Sequence, residues 1–163
     1  MANGYAFQGY DKATMSRASV RDLGISTKHS IEICSAIRNK RVITVKSFLE
    51  NVIAKKVPVR YTRFNWGVGH RKGTGAAGRY PVKAAAEILM VIESAEKNAQ
   101  QKGLNSADLV IRSIVANNGP RVWHYGRQRR RKTKRTHIEI VLAQKAKGSG
   151  KEKKEKSSKE DKK

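Results

Sequence analysis

Two segments of this 163-residue chain combine cations, aromatic side chains and glycines in a pattern suited to binding a polyanion. The first lies between Asn51 and Ala86, where eight Lys and Arg residues occur and no acid does. Within it, residues 60–79 interleave aromatics with cations and then concentrate glycine. Glycine permits positive φ and close backbone approach, so that amides and guanidinium groups can reach phosphates together. The pattern predicts a phosphate-binding loop; a flexible surface loop is the alternative.

The glycine spacing of this loop does not match that of an enzymatic nucleotide site. Gly67 and Gly69 are followed by Gly73, whereas the dinucleotide pattern needs its third glycine one place earlier. No Gly-Lys-Ser or Gly-Lys-Thr sequence occurs. The glycines therefore indicate contact with a phosphate backbone rather than with a mononucleotide.

The second segment, Arg121 to Arg135, carries eight cations and no acid. Trp123 and Tyr125 can stack on exposed bases, as can arginine planes, whereas lysines act more as point charges toward phosphate. This chemistry favours RNA. Residues 129–135 also resemble a nuclear-import patch, which is the alternative interpretation.

The position of this segment predicts an extended hairpin. It lies between two stretches rich in β-branched residues, and about 20 residues separate Ala116 from His137, whereas hairpin loops normally have two to five. A two-stranded arm is marginally stable in water, and like charges weaken it further. We therefore expect the arm to become ordered where phosphates neutralise it.

Residues suited to catalysis are scattered. The chain has 13 Asp and Glu, and its four histidines lack the pairing of a metal site. Cys34 is the only cysteine, so it cannot form an intrachain disulfide and is expected to fill space on a helix. The sequence predicts no enzyme activity, no cofactor, no metal site and no small-molecule substrate.

The overall charge requires an anionic partner. Lys and Arg number 36, which gives a net charge of +23, and such self-repulsion opposes a compact isolated state. No apolar run approaches the roughly 18 residues of a membrane span, and no secretory signal is evident. We expect a cytoplasmic protein without a membrane partner.

Hydrophobic periodicity predicts three helices. The first is capped by Ser26 or Thr27 and runs to about Arg38. The second is capped by Thr44, with an apolar stripe over residues 45–53. The third begins at Pro81 and ends before Gly103. Their inward-facing residues include Ile33, Ala36, Ile37, Val45, Phe48, Leu49, Val52, Ile53, Ala85, Ile88, Leu89, Ile92, Ala95 and Ala99.

Three strands are predicted around residues 19–23, 109–116 and 138–142. The resulting fold class is α+β, with three helices packed on a small three-stranded antiparallel sheet and an extended β-hairpin over residues 109–144. Residues 1–14 form an N-terminal extension and residues 15–144 a single globular domain. Residues 145–163, with nine Lys, four acids and no aliphatic side chain larger than Ala, are expected to be a disordered tail.

Four motifs resemble the large-subunit ribosomal protein of universal family twenty-two, in its archaeal and eukaryotic form. They are Lys28-His29-Ser30, Phe-Asn-Trp-Gly-Val-Gly-His at residues 64–70, Gly-Arg-Tyr-Pro at residues 78–81, and Gly126-Arg127. The resemblance covers roughly residues 15–144. Past Arg127 the chain is more uniformly basic than this family pattern. The Lys/Glu tail has no fixed counterpart in the family, and together with the scarcity of acids elsewhere it would suit an archaeal source.

The resemblance implies a structural constituent of the large ribosomal subunit that binds its 23S-type rRNA during assembly. It places the body near the exit of the nascent-peptide tunnel and the hairpin along the tunnel wall, beside neighbouring ribosomal proteins and the nascent polypeptide. Gly126, Arg127 and Gln128 would form the hairpin tip. The residues expected to bind rRNA are Lys28, His29, Arg60, Arg63, Asn65, Trp66, His70, Arg71, Lys72, Arg79, Arg121, Trp123, Tyr125, Arg127, Arg129, Arg130, Arg131, Lys132, Lys134 and Arg135.

Two other functions fit the bulk charge. A basic DNA-compacting chromatin protein is the main alternative, but compaction does not need a basic arm between strands together with a separate glycine-rich loop. A membrane-surface or secretion accessory is the second. Sedimentation with large subunits or with the nucleoid, and flotation on liposomes, distinguish the three.

Overall fold

The computed structural model describes residues 5–144. Its elements form a main antiparallel sheet, a second small sheet and three helices. In chain order they are β1 (Met15–Leu23), α1 (Thr27–Ile37), α2 (Val42–Ile53), β2 (Val59–Arg60), β3 (His70–Arg71), β4 (Ala76–Arg79), α3 (Val82–Gln101), β5 (Leu109–Asn118) and β6 (Thr136–Gln144).

The main sheet has the order β1–β6–β5, so the last strand in the sequence is central. Both neighbours pair with β6 in antiparallel register, and the ladder is irregular between Val20 and Leu23 and between Ile111 and Ser113. In β6, Ile138 and Ile140 are fully buried, as their alternation with polar residues predicts.

The helices cover the main sheet. α3 packs on β1 and β6, α1 packs on β5, and α2 packs mainly on α3. Ile33, Leu49 and Ile88, one from each helix, are fully buried in this core. The predicted α+β fold, with three helices on a three-stranded antiparallel sheet, is confirmed.

The predicted start of α1 is confirmed in position, and that of α2 is wrong in detail. α2 begins at Val42 with Arg41 at the N-cap, so Thr44 lies inside the first turn. The reason is tertiary: Ile111 N donates to Lys40 O at 3.0 Å, and Arg41 bridges to β5 just before the helix. Ser26 occupies the N-cap position of α1, but its side chain makes no capping hydrogen bond.

Pro81 is the N-cap of α3 rather than a residue of its first turn. The helix ends at Gln101, before Gly103, which takes a φ of 75°. The predicted end before Gly103 is confirmed, and the helix has 20 residues. Among residues 5–144, no helix combines the length and the apolarity needed to cross a membrane.

The glycine-rich segment contains a second sheet that the sequence analysis missed. β4 is its centre, pairing with β2 through Val59 opposite Arg79 and with β3 through His70 opposite Ala77. Gly73 and Gly75 take positive φ in the turn between β3 and β4, as glycines permit. The segment is therefore partly a small sheet and not a loop throughout.

Beyond β5 and β6 the predicted hairpin continues as an arm, residues 119–135. Gly119 N donates to Arg135 O at 3.0 Å and Thr133 N to Val122 O at 2.8 Å, and a short 3-10 turn at Gly126–Gln128 forms the tip. The predicted disordered tail, residues 145–163, lies outside the described residues. In the predicted N-terminal extension, the Ala6 amide donates to Glu139 of β6 at 2.9 Å.

Candidate nucleic-acid interface

A cleft of about 660 Å³ opens where the start of α1, the segment following β2 and the base of the arm meet. These three parts are far apart in sequence, and the fold brings their cations together. No acidic residue of the described chain lines the cleft. Its cationic side chains are Lys28, Arg63, Arg79, Arg121 and Lys134, accompanied by His29.

One buried carboxylate positions the cleft wall. Glu32 is 2% exposed and accepts hydrogen bonds from the backbone amides of Thr62 at 3.1 Å, Arg63 at 2.9 Å and Phe64 at 2.7 Å. The Thr62 hydroxyl donates to the same carboxylate at 3.3 Å. Three successive amides are thus fixed to α1, and this fixes where the following side chains lie. Glu32 does not line the cleft, so it supports the cationic surface without facing it.

Phe64 holds two of the cations at the cleft. The Lys28 ammonium lies 5.6 Å and the Arg63 guanidinium 5.4 Å from the centroid of its ring. Cation–π attraction at such distances restrains long side chains that would otherwise sample many rotamers. The cleft therefore presents these charges in a preferred arrangement.

His29 and Tyr61 form the inner part of the cleft. Their rings meet edge to face with centroids 5.8 Å apart. Burial, together with the charges of Arg79 and Lys134, lowers the pKa of His29 below its ordinary 6.5. Burial raises the pKa of Tyr61 to about 12, so its hydroxyl stays protonated. The cleft thus offers neutral hydrogen-bonding groups beneath a cationic rim.

The small sheet presents two further cations and an imidazole. His70, Arg71 and Lys72 are exposed at the β3 end of the sheet, and the Arg71 guanidinium lies 5.8 Å from the centroid of the Tyr80 ring. A Cβ atom on Gly78 would lie 3.2 Å from that of Arg71, so the glycine permits close pairing of β3 and β4. Close approach of this backbone to a phosphate ligand stays a prediction.

The arm carries the largest cation density. Trp123 and Lys132 pair across it, with the Lys132 ammonium 4.3 Å from the centroid of the indole ring. Tyr125 is almost fully exposed next to the tip. Trp123 is 57% exposed even with Lys132 over its ring, so both aromatic side chains present surface to a ligand. Arg135, by contrast, donates to the Asp22 carbonyl at 3.2 Å and secures the base of the arm.

The structure divides the predicted site residues into three groups, and their contact with RNA stays a prediction. The cleft gathers Lys28, His29, Arg63, Trp66, Arg79, Arg121 and Lys134. The small sheet and its preceding turn hold Arg60, Asn65, His70, Arg71 and Lys72. The arm holds Trp123, Tyr125, Gly126, Arg127, Gln128, Arg129, Arg130, Arg131, Lys132 and Arg135.

Sequence reasoning missed Glu32 and Tyr61. The signal for Tyr61 was the alternation of buried Val59 and Tyr61 around exposed Arg60, which indicates a strand facing the core. For Glu32 the only signal was a single acid on the apolar face of a helix. Cys34, predicted as a filler, is buried, and burial raises the pKa of its thiol to about 12.

A family model described as "Ribosomal protein L22p/L17e" matches residues 18–143, which include most of the main sheet, the cleft and the arm. The chain belongs to this ribosomal protein family. The matched range begins in β1 and ends in β6, so the family pattern covers the fold that assembles the cleft.

Curated relatives agree with this family assignment. "Large ribosomal subunit protein uL22" of Methanosphaera stadtmanae is 44% identical over 149 residues, covering 87% of this chain and 97% of the relative. Proteins of the same name from Cenarchaeum symbiosum and Methanocaldococcus jannaschii are 40% and 41% identical, covering 85% and 77% of this chain and 95% and 85% of the relatives. These relatives are archaeal, so the predicted resemblance to the archaeal form is confirmed.

Proposed function

We propose that this constituent of the large ribosomal subunit binds and organises the subunit's RNA through the cleft and the arm together. One observation carries the proposal: cations from three distant parts of the chain converge on a cleft without acids and continue into an arm without acids. A phosphate backbone supplies the matching charge along such a path. Trp66, Trp123 and Tyr125 add exposed aromatic surfaces on which unpaired bases can stack.

The arm acts as a spacer between RNA segments in this proposal. Only a few backbone hydrogen bonds join its two sides within residues 119–135. Its like charges repel one another. Docking of the body on RNA precedes ordering of the arm, because phosphates neutralise the arm only once it lies between RNA segments. The ordered arm then fixes the distance between them.

The finer location follows the family resemblance. The body would lie near the exit of the nascent-peptide tunnel, with the tip at Gly126, Arg127 and Gln128 along the tunnel wall, contacting several rRNA domains. Neighbouring large-subunit proteins and the nascent polypeptide would be the other partners. The relatives are named as proteins of the large ribosomal subunit, and this places the chain in that particle in the cytoplasm.

The proposed role is structural and includes no reaction. Ribosomal proteins of this family are structural components. Within residues 5–144, no group of three or more His, Cys, Asp or Glu could hold a metal ion. The Glu32 carboxylate is occupied by backbone amides, so it serves packing rather than proton transfer.

Sedimentation of cell extracts tests the proposal. The tagged chain should migrate with large subunits, and hydroxyl-radical footprinting of those subunits should show rRNA protected by both body and arm. Sedimentation with the nucleoid would support the DNA-compacting alternative instead. Recovery with ribosome-free liposomes would support a membrane-surface role. Either result, without protection of rRNA, would contradict the proposed function.

A further inference from the structure

The cleft contains a buried polar atom that the protein itself does not satisfy. Tyr61 is 3% exposed, and within residues 5–144 its hydroxyl is the buried side-chain polar atom that has no hydrogen-bond partner. Native proteins pair nearly all such groups, because an unpaired one keeps the cost of leaving water without compensation. The Tyr61 hydroxyl can donate and accept, so a ligand in the cleft can supply the missing hydrogen bond.

The backbone fixes the position of this hydroxyl. The Tyr61 amide donates to Ala77 O of β4 at 2.9 Å, and the Tyr61 and His29 rings meet edge to face. The Tyr61 ring therefore cannot swing outward to water without breaking this packing. Because burial and nearby cations keep His29 neutral, its imidazole offers one donor and one acceptor beside the phenol.

The outer wall of the cleft carries a flat aromatic surface. The Trp66 side chain is 98% exposed, yet it lines the same cleft as Tyr61. Gly67 follows it at a φ of 63°, and the Arg79 guanidinium donates to Gly67 O at 3.4 Å. This contact ties the Trp66 turn to β4. An indole in this position can serve as a stacking platform for a base.

We propose that the cleft receives one unpaired nucleotide of the rRNA, whose base stacks on Trp66 and directs an edge toward the Tyr61 hydroxyl and His29. The flanking phosphates lie against Arg79 and Lys134. This inference rests on the proposed rRNA binding and names what the cleft recognises. The volume of about 660 Å³ falls in the range of sites that enclose a small ligand.

Other ligands fit the cleft less well. A phosphate group alone would engage Arg79 and Lys134 but would leave the indole and the Tyr61 hydroxyl unused. A paired helix keeps its bases stacked and its Watson–Crick edges occupied, so it could touch the rim but not the interior. An unpaired base that leaves its stack presents both a flat face and free edges, and it carries its phosphates with it.

Substituting the single hydroxyl provides the test. The full chain and the Tyr61→Phe variant are each bound to deproteinised large-subunit rRNA from the organism that encodes the chain, and the RNA is probed with base-specific and 2′-hydroxyl reagents. Tyr61→Phe should leave the free protein at least as stable as the wild type, because it removes an unpaired buried group. Its affinity should fall roughly threefold to tenfold, the worth of one hydrogen bond. One unpaired nucleotide should become more reactive.

Two further variants complete the experiment. Trp66→Ala, on an exposed side chain, should lower affinity roughly fivefold to a hundredfold by removing a stacking surface, and should expose the same nucleotide. Tyr5→Phe, outside the cleft, should change neither readout.

The outcomes separate this inference from the proposed function. If wild-type protein protects rRNA but Tyr61→Phe and Trp66→Ala give unchanged affinity and the same reactivity at every nucleotide, the nucleotide site is wrong while rRNA binding stands. An equal loss of rRNA affinity in Tyr5→Phe would also contradict the proposed nucleotide site, since the effect would not be specific to the cleft. If wild-type protein protects no rRNA, the proposed function itself fails.

Discussion

The backbone amide of Phe64 donates a 2.7 Å hydrogen bond to the Glu32 carboxylate, and this contact joins α1 to the segment that forms one wall of the cleft. Glu32 also receives the amides of Thr62 and Arg63. The chain has a net charge of +23 and few acids. One of these acids fixes the backbone that carries a cationic surface, without lining that surface itself. Its charge is satisfied by amides, so the neighbouring cations remain available to a ligand.

Glu32→Gln tests this relationship. In glutamine an NH2 group replaces one oxygen of the carboxylate. This group is a donor and cannot accept from a backbone amide, so at least one of the three backbone hydrogen bonds is lost. The free energy of unfolding should fall by about 1.5–3 kcal/mol, the worth of a hydrogen bond to a charged group. Urea denaturation followed by circular dichroism measures this change. Glu93→Gln, on the exposed face of α3, is the matched control and should lie within about 0.5 kcal/mol of the wild type. Equal stability of the two variants would show that the Glu32 contacts are energetically unimportant.

Gly119→Ala tests how the arm leaves the sheet. An added Cβ would lie 2.9 Å from Arg135 Cβ and 3.0 Å from His137 Cε1, so one of these neighbours must move. Overpacking of this kind should cost about 1–3 kcal/mol and should displace the base of the arm. Gly69→Ala is the control, because nothing lies within 4 Å of its added atom and its φ is not positive.

Amide hydrogen exchange measures whether Gly119→Ala weakens the backbone hydrogen bonds at the base of the arm. The amides of Gly119 and Thr133, which bond across the arm, should exchange faster in Gly119→Ala and at the wild-type rate in Gly69→Ala. Unchanged exchange in both variants would mean that the arm base tolerates a side chain at position 119.

The elements could be predicted from the sequence wherever a periodic pattern is long enough to be visible. α3 shows its apolar stripe over 20 residues, and β6 alternates between buried and half-buried residues from Thr136 to Ile140, so both were found. β2 and β3 have two residues each and carry no period, and hence the small sheet was missed. The start of α2 depends on pairing between Arg41 and Val110, which are distant in sequence.

The site was predictable in its charges but not in its geometry. Four of the five cleft cations lie in the two runs without acids, and the fifth, Lys28, was named from the family resemblance. Their convergence could not be predicted, because it requires the base of the arm to lie beside the start of α1. Only the assembled main sheet brings Lys134 next to His29. Glu32 and Tyr61 were missed for the same reason: the partners of the carboxylate lie 30 to 32 residues further along the chain.

His29 should make the stability of the free protein depend on pH. Its pKa is lowered in the folded protein by burial and by Arg79 and Lys134, and returns to 6.5 on unfolding. Below pH 6.5 the unfolded chain therefore binds more protons, and the free energy of unfolding decreases as the pH falls toward the folded pKa. His29→Gln should remove this part of the decrease. Urea unfolding at a series of pH values measures it, and an identical pH dependence in the variant would contradict the assignment.

The same histidine should report RNA binding. A phosphate placed beside Arg79 and Lys134 offsets their charge, so the pKa of His29 should rise in the complex. Binding would then take up protons, and affinity should increase as the pH falls through the pKa of His29 in the complex toward its lower pKa in the free protein. An imidazole NMR titration of His29 with and without rRNA measures the direction. A lower pKa in the complex would show that phosphates do not approach this part of the cleft.

The arm cations should dominate the salt dependence of binding. Each phosphate contact contributes about −0.7 to −0.9 to the slope of log affinity against log salt. Replacing Arg127, Arg129, Arg130 and Arg131 by Ala should therefore make the slope shallower by about 3 if each contacts a phosphate. The helical body should stay folded, because these side chains are exposed. Incorporation into large subunits should be impaired.

A charge-matched variant separates the arm from bulk charge. Lys12, Lys56, Lys97 and Arg112 are also exposed and lie away from the arm, and their joint replacement by Ala removes the same four charges. If the arm threads between RNA segments, this control should change the salt slope less and should assemble at nearly the wild-type rate. Equal slopes and equal assembly for the two variants would show that net charge, and not the placement of the cations on the arm, determines binding.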